Sequence, residues 1–148
     1  MIAAAEAGTA AYQQAGNDMQ KGGSRASRAA ALCRAMGNNG AVAGWRGAVA
    51  TLSSNGDGDG VLVITIAPGI TVKTWNNGFS DIGDKTLIPS TSALFGKASA
   101  LHEREKVTFA GHFFSSKTDC IKEGSATLDG SMTDPEFIFQ FRDIAPAL

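Results

Sequence analysis

Long apolar runs are missing from this sequence. The longest, residues 61–67, is broken by Thr65 and falls far short of the ~18 apolar residues that a membrane-spanning helix needs. No membrane span is predicted. Cysteine is nearly absent as well: Cys33 and Cys120 stand alone, too far apart for a C-x-x-C redox pair or the paired spacing of a zinc site. Only two histidines occur, His102 and His112, with no cysteine or aspartate at metal spacing beside them, so each reads as an ordinary surface or half-buried imidazole. Gly-x-Ser-x-Gly is absent, and no glycine-rich phosphate loop leads from a strand into a helix. The reading is therefore of a non-enzyme with no cofactor and no metal. An excess of one charge is missing too, because 13 basic side chains meet 14 acidic ones. With aromatic residues at only 7%, that balance counts against a nucleic-acid binder, whose affinity rests mainly on neutralising phosphates.

What is present fits one soluble domain over residues 1–148. A chain of this length buries roughly two-thirds of the surface that its unfolded form exposes, so it needs no metal or disulfide merely to fold. Its 43% apolar and 18% charged composition is that of a globular protein. Charge is uneven: residues 1–54 carry five basic groups against two acidic, and residues 55–148 carry eight against twelve. The basic front reads most simply as the solvated face of a helix. The Ala-rich start, residues 1–11, lacks the basic n-region and long apolar core of a signal peptide. The protein is then either cytoplasmic or an exported one whose signal is absent from this chain.

Residues 9–36 are rich in Ala, Gln, Arg and Met and free of proline, with apolar positions three and four apart at Tyr12, Ala15 and Met19, then at Ala29, Leu32, Cys33 and Met36. Gly22-Gly23-Ser24 predicts a kink or a second helix capped by Ser24, and Gly37-Asn38-Asn39-Gly40 a helix stop. Alternating and β-branched residues then predict strands at 42–52, 60–67 and 70–75, joined by short turns at 55–60 and Pro68-Gly69. A polar stretch, 76–91, precedes a short helix at 92–101. A fourth strand covers 106–114, a loop holds Cys120 and Gly130, and a fifth strand covers 136–144 between Pro135 and Pro146.

Five strands with a helix between the third and fourth is the element order of the OB-fold, a small Greek-key barrel. Trp45-Arg46-Gly47-Ala48-Val49 on the first strand, residues 61–66 on the second and Val107-Thr108-Phe109-Ala110-Gly111-His112-Phe113 on the fourth resemble the tRNA-anticodon-binding-like OB domains of small bacterial envelope proteins. The likeness covers residues 41–144. It implies a mainly β fold with α, a five-stranded OB-like barrel preceded by a helical segment, and it implies a fold rather than a ligand. Where those domains place a glycine turn before the fourth strand, this chain has His102-Glu103-Arg104-Glu105.

Cys33 and Cys120 form either one long-range disulfide or two buried thiols. The polar surroundings of Cys120, residues 115–124, favour the disulfide and with it an exported, periplasmic setting. Asn55-Gly56-Asp57-Gly58-Asp59-Gly60 begins like a Ca²⁺ loop, but its twelfth position is Ile66 instead of Glu, so a glycine-rich hairpin is expected. On the third strand Ile70, Val72 and Thr74 alternate with Thr71, Lys73 and Trp75. If the first set faces the core, Lys73 and Trp75 project outward and, with Asn76, Asn77 and Phe79, suit stacking on a base or sugar. The plainer reading has Trp75 covering the barrel end beneath the 76–91 loop. Trp45, on the same strand face as Val49, is expected in the core, and Arg46 and Arg142 on the surface. Two functions follow: an OB-like binding or protein-interaction module of the bacterial envelope, with an envelope protein or glycan as partner, and, second, a cytoplasmic single-stranded nucleic-acid binder.

Overall fold

The computed structural model describes residues 1–37 and 39–148. Two helices lead the chain, α1 (Ile2–Gln14) and α2 (Asp18–Met36). Helix thus begins at residue 2 and not at 9, and the break falls at 15–17, not at Gly22-Gly23-Ser24. Asn17 is the cap: its Oδ1 accepts the Gln20 N–H at 2.9 Å, while Gln20 Oε1 accepts the Gly16 N–H at 2.6 Å. This reciprocal pair satisfies donors that a helix start leaves orphaned. The two glycines stay helical at a cost of about 1 kcal/mol each, because Arg28 and Leu32 bury the next turns of α2. Ser24, unneeded as a cap, donates to the Lys21 carbonyl instead. The helix ends as expected on Gly37, at φ 68°; Asn38 of the predicted stop lies outside the described residues.

Five strands close into a ring in the order β1 (Ala41–Ser54), β2 (Gly60–Ala67), β3 (Ile70–Lys73), β7 (Glu136–Pro146) and β4 (Lys106–Phe113), with β4 returning to β1. Every pairing is antiparallel except that of β3 with β7, which is parallel. β1 pairs with β2 through one half and with β4 through the other, and irregularities between Val42 and Trp45 and between Val49 and Thr51 bend it. β3 stops two residues earlier than predicted. There the Thr74 hydroxyl accepts the Leu62 N–H and donates to the Trp75 carbonyl, ending the ladder. The predicted short helix is α3 (Ala93–Ser99), capped by the Ser92 hydroxyl. Before β4, Arg104 takes the left-handed conformation, φ 70°, that a glycine turn would supply.

The stretch predicted as a loop around Cys120 holds more. It forms a hairpin of β5 (Ser115–Ser116) and β6 (Cys120–Ile121), then α4 (Leu128–Thr133). The last strand also continues past 144, with Pro146 in register opposite Val107.

Phe109, Phe113, Phe137, Phe139 and Phe141 fill the ring, their rings meeting edge to face at centroid separations of 4.8 to 6.4 Å. Gly111 lies where no side chain fits: a Cβ there would stand 2.0 Å from the Gln140 carbonyl oxygen and 2.6 Å from the Phe139 ring. That close approach accounts for a glycine at this position of β4. Trp45 is half-buried against Phe109 and Phe113, and Arg46 and Arg142 are exposed.

Ala5 of α1 and Leu32 of α2 belong to the same buried cluster as the strand residues. Three further ties hold the helices to residues 119–132, the segment between β4 and β7. Cys33 and Cys120 are disulfide-bonded, with Cα atoms 5.6 Å apart. Thr9 donates to the Met132 carbonyl and Tyr12 to Asp129. Arg28, whose side chain is 0% exposed, donates to the Ser131 carbonyl and hydroxyl and to Asp119. Gly8 makes room for it: a Cβ on Gly8 would lie 2.8 to 2.9 Å from three carbons of Arg28. Gly8→Ala should therefore lower stability by about 1–3 kcal/mol through overpacking, although alanine is the better helix former. A urea titration in which the alanine variant matches or exceeds the parent would contradict this packing.

Candidate binding site

The residues predicted to bind divide between two places. Lys73 is only 8% exposed, and its Nζ lies 3.6 Å from Glu136 Oε1. Trp75 is half-buried; its indole N–H donates to Asp84 at 2.8 Å and its backbone N–H to the Thr86 hydroxyl. Residues 122–124 pair beside the start of β7, with Glu123 bridged antiparallel to Phe137. The Ile138 N–H donates to the Lys122 carbonyl and the Gly124 N–H to the Glu136 carbonyl, so Ile138 is wholly buried although its neighbours Phe137 and Phe139 are the ones in the aromatic core. Trp75 lies against Gly124, where an added Cβ would stand 3.2 Å from its ring. Lys122 in turn bonds both oxygens of Asp84 at 2.8 and 2.9 Å.

Asn76, Asn77 and Phe79 are exposed on the following loop. Phe79 is 87% exposed, and Ile82, which the sequence did not single out, is 77% exposed. The loop beneath them is tied down. Asp81 is buried and its carboxylate accepts from the Thr86 N–H, the Thr86 hydroxyl and the Leu87 N–H at 2.7 to 3.0 Å. Its carbonyl accepts the Asp84 and Lys85 N–H groups, and Asn77 Oδ1 accepts the Ser80 N–H. Two large apolar side chains are thus held out into water by a loop whose polar groups are spent internally.

Beside this loop lies a cleft of about 500 Å³. It opens between the β1–β2 connection and residues 78–89, over a floor of Ile88, Leu94 and Phe141 and walls carrying Asp57, Asp59 and Lys85. The β1–β2 connection is the glycine-rich hairpin loop: Asn55 Oδ1 accepts the Asp57 and Asp59 N–H groups, which turns that oxygen toward the loop's own backbone. Among the described residues no group of three or more His, Cys, Asp or Glu side chains is placed to hold a metal ion, and no helix is long and apolar enough to cross a membrane. His112 packs edge-on to Phe114, and His102 is exposed.

The only sequence signal for Ile82 was a lone aliphatic residue in a polar, glycine-flanked stretch. The cleft had none, since it joins segments some thirty residues apart, as in the contact of Ser90 N–H with Asp59. Comparison of the chain with protein-family models, with curated proteins and with solved structures found no match in any of the three.

Proposed function

We propose that this chain is a non-enzymatic binding module of an exported protein, built on an OB-like Greek-key barrel, that engages its partner through the loop bearing Phe79 and Ile82. The exposure of these two side chains on a braced loop carries the reading. Apolar groups held rigidly in water, with no internal partner, find their burial in a complex and lose little entropy there. The ring order and the parallel β3–β7 pairing support the OB-like description. The disulfide supports an oxidising compartment, because such bonds persist mainly outside the cytoplasm.

Two observations favour this reading over the nucleic-acid one. Lys73 is spent on Glu136, and the indole N–H of Trp75 on Asp84. The test is a photo-crosslinking amino acid placed at position 79, and at exposed Arg142 as a control, in protein expressed in its native host. A discrete adduct at 79 that is absent at 142 is the expected result. Equal labelling at both positions, or none at 79, would remove the loop as a binding surface.

A further inference from the structure

Resting on that reading of the loop, we propose that the partner is a protein segment carrying an arginine or lysine next to an apolar residue, with the basic side chain lying in the neighbouring cleft. Phe79 and Ile82 adjoin Gly78 and Asp81 in the chain, and both of these line the cleft. A ligand covering the two apolar side chains therefore borders it.

The cleft is built in two chemical layers. Its floor, Ile88, Leu94 and Phe141, is apolar, while Asp57 and Asp59 stand on its wall. Neither carboxylate forms an ion pair among the described residues: Asp57 is exposed, and Asp59 is half-buried with a single long contact, 3.4 Å, from the Ser90 N–H. Asp81 adds a third negative charge against the single ammonium of Lys85. Arginine and lysine match this layering, since each lays an aliphatic stem along apolar surface and carries its charge at the tip. An acidic or phosphorylated segment meets repulsion from three carboxylates, which gives the cleft its sign preference.

The probe is a random nine-residue peptide library displayed on phage, selected on the oxidised protein and, in parallel, on the Asp57→Asn/Asp59→Asn variant. The amide at 57 replaces a carboxylate that makes no bond within the protein, so an unchanged thermal midpoint will certify the variant's fold. Selection on the parent should enrich sequences with Arg or Lys beside Leu, Ile or Phe. A synthetic peptide of the enriched sequence should bind the double variant about tenfold or more weakly, and Phe79→Ser should weaken it as well. No basic enrichment, or affinity unchanged in the double variant, overturns the assignment. So does a position-79 adduct whose added mass, on the protease fragment that carries residue 79, is that of a glycan. A position-79 adduct with a protein that lacks such a segment removes this inference but leaves the loop as the binding surface. Absence of any adduct removes the binding surface itself.

Discussion

Asp119→Asn should lower the unfolding free energy by about 3–5 kcal/mol, the usual cost of removing one partner from a buried ion pair. Asp119 accepts from Arg25 Nε at 2.7 Å and Nη2 at 2.8 Å, and from Arg28 Nη2 at 3.3 Å. Arg28 has no access to solvent, so the variant leaves a guanidinium among α1, α2 and α4 with neutral acceptors and no counter-charge, and its Nε already lacks a partner. Lys97 and Asp143 provide the contrast. Their 2.8 Å pair is more than half exposed on both sides, and Lys97→Ala should cost about 1 kcal/mol or less. Urea titrations of the two variants measure the difference, and comparable losses would mean that the Arg28 site is wet.

The same carboxyl sets the acid limb of stability. Burial raises its pKa, but the Arg25 hydrogen bonds and the charges of Arg25 and Arg28 together outweigh burial and hold it below the ordinary value. A carboxyl depressed on folding contributes stability that is fully present above its unfolded value, about 3.9, and is lost as pH falls through the lower folded value. The parent should weaken on acidification below about pH 4, and Asp119→Asn should show a flatter limb over the same interval. An unchanged limb in the variant would assign acid unfolding to other groups.

Replacing Cys33 and Cys120 together by serine should cost about 4–5 kcal/mol on the chain-entropy account of a long closed loop. The bond joins residues 87 apart, and Cys120 holds a left-handed conformation, φ 66°, between Asp119 and Ile121. Its loss acts on the same docked helices that Arg28 and Asp119 secure, so combining it with Asp119→Asn should not give a simple sum. Amide exchange will show where the loss falls. The α1 and α2 amides should exchange faster than those of β2 and β7 once the bond is gone. Uniform acceleration would show that helices and ring open as one unit, and a loss under about 1 kcal/mol would place the helices' anchorage elsewhere.

Part of this architecture was legible because it is written locally. β2 announces itself through continuous β-branched residues between glycine turns, but the 3- and 4-residue apolar spacing marks the buried side of α2 only at Leu32: Ala29 and Met36 are half-buried, Cys33 and Met19 are exposed, and the other buried positions are Ser24 and Arg28, which carry no apolar signal. The helix boundary was not legible, because Gly22-Gly23 is the stronger local breaker while the Asn17–Gln20 cap depends on geometry across the turn. β5, β6 and α4 escaped for a related reason: strands of two residues carry no period to read. At the candidate site, Phe79 and the asparagines could be placed on the surface from the sequence. The burial of Lys73 beside Glu136 and the covering of Trp75 by Gly124 could not, since both partners come from about a third of the chain or more away.

Having only two cysteines has a consequence during synthesis. Cys33 emerges with no partner and waits for most of the ring to be made before Cys120 appears. Between these two cysteines no incorrect pairing within one chain exists, so a single oxidation forms the bond and leaves no second pairing of the two to reshuffle. The one available error joins two chains through their early thiols, which ties the yield of correctly bonded protein to how crowded the nascent chains are.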